Sequence, residues 1–181
     1  DEKEKGKVLT SDFAWFDFIL KKPIDFINTQ EVMAFDGGAL QSVEFKNLNP
    51  QKETESNPYH SLTQGEFTQD KDLWHFKGKA DVDGAKVLSL LSLLKSTIVH
   101  SFEPDSAAFK NNKNIKSVFE LKFNFRDHSK DKISVYNYFR PCVVADPKKN
   151  CQLVMMDSKA YPLWVDSQDM TTILNREFLK K

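Results

Sequence analysis

The chain has 181 residues, 40% of them apolar, and equal numbers of acidic and basic side chains, 26 of each. That length and apolar fraction fit one domain with a buried core and exclude intrinsic disorder. A zero formal net charge without a basic stripe argues against a nucleic-acid binder, and no run of about 18 apolar residues reads as a membrane-spanning helix.

In chain order, residues 1–10, opening DEKEKGK, read as a charged tether. The missing initiator methionine leads us to expect an anchor or a signal peptide upstream. Residues 11–181 read as a single domain. Its first segment, SDFAWFDFILKKPIDFI (11–27), suits a helix through Phe13, Phe16 and Leu20 and a strand through Ala14, Phe16 and Phe18. It is expected to pack on the domain in either case. Gly37–Gly38 marks a turn. LQSVEFKNL (40–48) alternates Val43 and Phe45 with polar neighbours, as a half-buried strand should. Residues 49–67 are polar and aperiodic with two prolines, which predicts a long surface loop, and DLWHF (72–76) follows as a short strand.

Asp81 stands where a helix N-cap belongs. Val82, Ala85, Leu88, Leu91 and Leu94 then recur at helical spacing, with Val87 and Leu90 widening the stripe, so a Leu-rich helix is predicted over about 82–95. TIVHSF (97–102) is a strand candidate, and EPDSAAFKNNKNIK returns to a loop or a single turn. In SVFELKFNFRD the residues Phe119, Leu121, Phe123 and Phe125 point one way and Glu120, Lys122, Asn124 and Arg126 the other. The polar turn DHSKD joins that strand to KISVYNYF. CQLVMMDS and AYPLWVD form a second hairpin around Asp157–Ser158–Lys159. Met170, Ile173, Leu174 and Phe178 define a closing helix over about 167–179, capped by Asp166 or Ser167. The predicted class is α+β, a mainly antiparallel sheet with both helices packed on it.

The two cysteines, Cys142 and Cys151, flank a short insert with turn-forming Asp146–Pro147 and Lys148–Lys149–Asn150. They are a disulfide candidate if the compartment is oxidising, and two free thiols otherwise. A zinc site is disfavoured because no histidine lies near them in sequence.

Motifs that carry chemistry are missing. DVDG (81–84) begins like a calcium loop, but the later ligands and the distal Glu are absent, so a helix start is the better reading. KGKA (77–80) lacks the rest of a phosphate loop, and no nucleophile elbow, dinucleotide glycine pattern or H-E-x-x-H occurs. His60, His75, His100 and His128 are scattered without ligand spacing. Trp15, Trp74 and Trp164 suit a core better than an exposed stacking platform. No catalytic, cofactor-binding or metal-ligating residue is assigned, and no cofactor is expected.

The stretch DLWHFKGKADVDGAKVLSLLSLLKS resembles the centre of an uncharacterised bacterial group, the domain-of-unknown-function family numbered 4340. The matching features are a strand bearing Trp74, the pair Ala80–Asp81, and a helix from Leu88 to Leu94. The strand ALQSVEFKN, the hairpin LKFNFRDHSKDKISVY, the pair LVMMDSKAYPLWVD and the closing helix extend the resemblance over about residues 39–178. Two departures are YFRPCVVADPKKNC, in place of a glycine-containing turn, and the longer loop at 49–67. The resemblance implies a domain held at the extracytoplasmic face of a bacterial inner membrane by an N-terminal helix. It also implies an association with gliding-type ABC transport components.

The expected function is therefore a non-catalytic interaction or accessory module with an envelope or membrane-protein partner. Its contact surface is expected in the loop around Asn57 to Thr68 or on an exposed sheet edge. The alternative is a hydrolase or carbohydrate-binding enzyme with a carboxylate site that the sequence does not mark. A deep pocket holding two perturbed carboxylates beside Trp or Tyr would favour that alternative.

Overall fold

The computed structural model describes residues 37–49, 62–78, 81–102, 109, 111–142, 149–159 and 161–179. Residues 1–10, read as a tether, the 11–27 segment, Trp15 and His60 lie outside the described residues. The rest builds one antiparallel sheet of eight strands and two helices. The strands are β1 (Leu40–Asn47), β2 (Gln64–Asp70), β3 (Leu73–Lys77), β4 (Val99–Phe102), β5 (Ser117–Phe125), β6 (Lys130–Pro141), β7 (Asn150–Met156) and β8 (Leu163–Asp166). The helices are α1 (Lys86–Ser96) and α2 (Ser167–Leu174).

The sheet order is β3-β2-β1-β5-β6-β7-β8-β4. Two meanders, β1 to β3 and β5 to β8, are joined along the β1–β5 seam, where Val43 faces Phe123 and Phe45 faces Leu121. β3 and β4 are opposite edges of the sheet, so α1, the helix between them, carries the chain from one edge to the other. Val87, Leu90 and Leu94 of α1 are fully buried in one cluster with Val43, Phe45, Phe67, Phe119, Leu121 and Phe123. Helix and inner sheet face thus form a single core. Each such aromatic or leucine side chain contributes about 1.5–3 kcal/mol through burial. Phe45 sits at the centre of this core, with ring centroids of Phe67, Phe76, Phe119 and Phe178 at 6.5, 6.3, 6.1 and 6.2 Å.

Several boundaries differ from those the sequence predicts. α1 begins at Lys86, not at 82, and Asp81 is no cap: the N-cap residue is Ala85, with no side-chain cap bond. Asp83 instead accepts a hydrogen bond from the Ala85 N–H at 2.9 Å, turning the chain into the helix. The buried stripe is Val87, Leu90 and Leu94, while Leu88 is 55% exposed and Leu91 only borders the core. At its other end the Thr97 N–H and hydroxyl both donate to the Leu93 carbonyl, closing the last turn.

The long loop predicted over 49–67 is shortened by β2, because Gln64–Asp70 pairs with both β1 and β3. The closing helix stops at Leu174 and does not run on to 179. Arg176 takes a left-handed φ of 54°, which ends the helix, and Glu177–Leu179 form a separate 3-10 turn that buries Phe178 and Leu179.

Candidate functional site

The sheet's outer face is polar, and its register sorts the charges into rows. In one row Lys77 faces Glu66, Glu66 faces Glu44, Glu44 faces Lys122, and Lys122 faces Lys132. The next row reads His75, Thr68, Ser42, Asn124 and Lys130 across the same strands. In the first row the acidic groups sit on β1 and β2 and the basic groups on β3, β5 and β6, whereas two residues further along Lys46 of β1 faces Glu120 of β5 with the signs reversed. Like charges directly opposite one another on a sheet cost stability, and here two such pairs, Glu66–Glu44 and Lys122–Lys132, sit side by side.

This face holds shallow depressions. One of them has a volume of about 560 Å³ and runs from Ser42, Glu66 and Thr68 past Asn124 to His128 and Lys130. A neighbouring one of about 320 Å³ lies among Glu44, Lys122, Asn124, Lys130, Lys132 and Asp157. Asn124 fixes the floor, since its amide donates to Ser42 Oγ at 2.8 Å and to Glu44 Oε1 at 3.2 Å. The rim is set by turns. Asp127 accepts from the Ser129 hydroxyl and N–H at 2.6 and 2.9 Å, and those bonds, the hydroxyl's first, hold its carboxyl below the usual range. Asp131 accepts from the Ser158 N–H and hydroxyl at 3.1 and 2.6 Å, tying β6 to the β7–β8 turn.

Toward β8 the outer face closes over a second, smaller core made of Cys142, Cys151, Leu153 and Trp164, with Phe109, Ile115 and Tyr136 against it. The register of β6 breaks between Val135 and Phe139. Within that irregular stretch Tyr138 lies 5.8 Å from the Trp164 ring centroid, with Phe109 at 6.2 Å on the same indole. Arg140 stacks over Trp164 at 4.0 Å and donates to Ser101 Oγ at 2.8 Å. Trp164 is thus packed and occupied by an arginine, so it offers no platform to a sugar. Trp74 is half-buried against the main core, and its neighbour His75 is exposed on the opposite face.

Cys142 and Cys151 are joined by a disulfide, with Cα atoms 5.1 Å apart, and both residues are buried. The bond clips the β6–β7 end, where Cys142 N–H also donates to the Lys149 carbonyl at 2.9 Å. No histidine lies near these cysteines in sequence, but in space the ligand atoms of His100, Cys142 and Cys151 all lie within 4.8 Å of one another. His100 comes from β4, and the topology that docks β4 on β8 brings it there. Sequence distance hid it.

Beside this corner two carboxylates are driven in opposite directions. Burial works against ionising Asp166, but the Gln168 N–H, the Lys149 ammonium and the field of His100 outweigh it and hold the group below the usual range. Burial first, and then the Asp166 charge, push Asp169 up. The pair has a structural explanation. Asp166 Oδ1 caps α2 by accepting from Gln168 N–H at 2.9 Å, and Oδ2 accepts from Lys149 Nζ at 3.0 Å. Both Asp166 oxygens are engaged, so its depressed value has a structural cause.

The DVDG segment is likewise explained by packing. A Cβ at Gly84 would lie 1.8 Å from the Trp74 carbonyl oxygen, so only glycine allows this turn to approach β3. Among the described residues no helix is long and apolar enough to cross a membrane. Comparisons of the chain with family models, with curated proteins and with solved structures found no match.

Proposed function

We propose that this domain is a non-catalytic contact module that binds a protein partner of mixed charge across its outer sheet face. The observation that carries this reading is the charge banding across the middle of the face, Glu44 and Glu66 beside Lys122, Lys130 and Lys132, bounded by the reversed pair Lys46–Glu120. A net-neutral chain gains no long-range attraction from its total charge. Banding of this kind supplies local complementarity, which fixes the orientation of a partner and raises its on-rate. The depressions are shallow and polar, as suits protein contact better than enclosure of a small substrate.

The wider setting belongs to the same proposal. The resemblance over residues 39–178 supports an accessory domain of a membrane-tethered bacterial envelope protein, working with gliding-type ABC transport components. A buried disulfide suits the extracytoplasmic side, where such bonds persist.

The test is site-specific photo-crosslinking in the bacterial envelope with the full-length tethered protein. A crosslinker at Thr68 or Lys130 should give one discrete, salt-sensitive adduct, whereas one at Lys95 on α1 should give none. Lys122→Glu combined with Lys132→Glu should abolish the adduct, with circular dichroism checking that the variant stays folded. Equal adducts from all three positions, or an adduct indifferent to charge reversal, would overturn the reading.

A further inference from the structure

The corner around the disulfide carries an assignment of its own, which does not rest on the contact function proposed above. We propose that reduction of the Cys142–Cys151 bond turns this corner into a site for a zinc-class divalent cation. Cys142, Cys151 and His100 are its three protein ligands, and a fourth position stays open to water.

The residues are delivered by separate elements. Cys142 follows β6, Cys151 lies on β7, and His100 lies on β4, where the register with β8 shifts between Val99 and Ser101. Their ligand atoms already fall within 4.8 Å of one another. A tetrahedral ion with metal–sulfur bonds of about 2.3 Å and metal–nitrogen bonds of about 2.0 Å spaces its ligand atoms by roughly 3.5–3.8 Å. The two sulfurs therefore need only part from bonded contact to about 3.8 Å, which side-chain rotation can supply with the Cα atoms 5.1 Å apart.

Access and ligand type suit a soft cation. Asp166 faces Cys151 across the β7–β8 ladder, but its charge is already paired with Lys149 at 3.0 Å, so the thiolates and imidazole themselves must hold the ion. The sulfurs are buried while His100 is only half-buried, which leaves entry on the imidazole side. Two soft thiolates with an imidazole select zinc-like ions over magnesium or calcium.

The steps balance. A dithiol reductant delivers two electrons and two protons, the S–S bond breaks to two thiols, and the reductant leaves as its own disulfide. Metal binding then forms two metal–sulfur bonds and releases both thiol protons, while the neutral imidazole donates its nitrogen lone pair. Oxidised and metal-bound forms are thus mutually exclusive states of one corner. The redox poise of the compartment chooses between them.

The experiment reduces the intact protein anaerobically with a water-soluble phosphine, which performs the same two-electron reduction without competing strongly for metal. Cobalt(II) is then titrated in. The expected result is one equivalent bound, with thiolate-to-cobalt charge-transfer absorption and the intense visible bands of tetrahedral cobalt, displaced by zinc. Untreated oxidised protein should show none of these bands. His100→Ala should weaken binding at least about tenfold and shift the visible bands, yet keep the oxidised protein's unfolding midpoint. Circular dichroism monitors the fold throughout. No bands after reduction, equal affinity in His100→Ala, equal binding by oxidised protein, or a reduced chain that unfolds and is not restored by metal would each overturn the proposal.

Discussion

Asp166 does three things at one position. It ends β8, caps α2 through the Gln168 N–H, and pairs with Lys149, itself 54% exposed, at 3.0 Å. Of these the cap matters most for stability, since an exposed ion pair contributes little. Asp166→Ala should therefore cost about 1 kcal/mol at neutral pH, and Asp166→Asn distinctly less, because Asn also caps. The pH dependence has a definite sign. The folded-state value is depressed below 3.8, so the ionised group stabilises the fold above that pH and loses its contribution as pH falls through the folded value. In urea titrations the gap between wild type and Asp166→Ala should be full at neutral pH and narrow in acid below 3.8, to about the part that a neutral cap still supplies. A gap independent of pH would show that the charge plays no part.

Gly84 is the opposite case, a residue defined by what it lacks. A helix entrance normally gains from Gly→Ala through reduced chain entropy. Here the added Cβ would meet backbone, at 1.8 Å from the Trp74 oxygen and 2.3 Å from its carbon, and backbone cannot rotate away. Gly84→Ala should destabilise by about 1–3 kcal/mol, measured as a lowered urea midpoint. An unchanged or raised midpoint would mean that this turn does not sit on β3.

At the scale of elements, α1 shows how far sequence pattern reaches. Its apolar positions, 87, 88, 90, 91, 93 and 94, cover so much of the helix that more than one stripe fits the period. The existence and type of the helix were legible, but its phase was not. Packing against the Phe-rich sheet selects Val87, Leu90 and Leu94 and leaves Leu88 outside. Leu90→Ala should thus cost about 2–5 kcal/mol, and Leu88→Ala less than about 0.5 kcal/mol, by the same urea titration. Comparable losses at the two positions would refute this phase.

β2 was hidden for a different reason. Of QGEFTQD only Gly65 and Phe67 face the core, so alternation is nearly invisible, and the strand exists because β1 and β3 pair with it on both sides. The charge rows of the outer face were hidden in the same way. Glu44, Glu66, Lys122 and Lys132 are each ordinary strand polars, and only pairing register makes them neighbours. β5 and β6 show the contrasting situation, because Phe119, Leu121 and Phe123 alternate strictly with polar residues over most of a strand. That hairpin could be read directly.

At the scale of the molecule, the sheet is two meanders held by one central seam and one crossing helix. The seam buries the stacked Phe45–Phe119 pair, with ring centroids 6.1 Å apart, and lies far from either edge. The disulfide acts at another place, on the β6–β7 end beside the second core. Its cysteines are separated by 9 positions, and the loop-closure model gives a bridge of that length about 3 kcal/mol, mainly by constraining the unfolded chain. Removing it with Cys142→Ser and Cys151→Ser should therefore lower global stability by about that amount while leaving the native seam intact. Hydrogen exchange separates the two effects. Amides around Cys142 and Asn150–Gln152 should open through a new local fluctuation, and those of Val43, Phe45, Leu121 and Phe123 should still exchange only on global unfolding. If the seam amides instead acquired a local opening of their own, the small core around Trp164 would be transmitting order across the whole sheet, and the two cores would have to be treated as one cooperative unit.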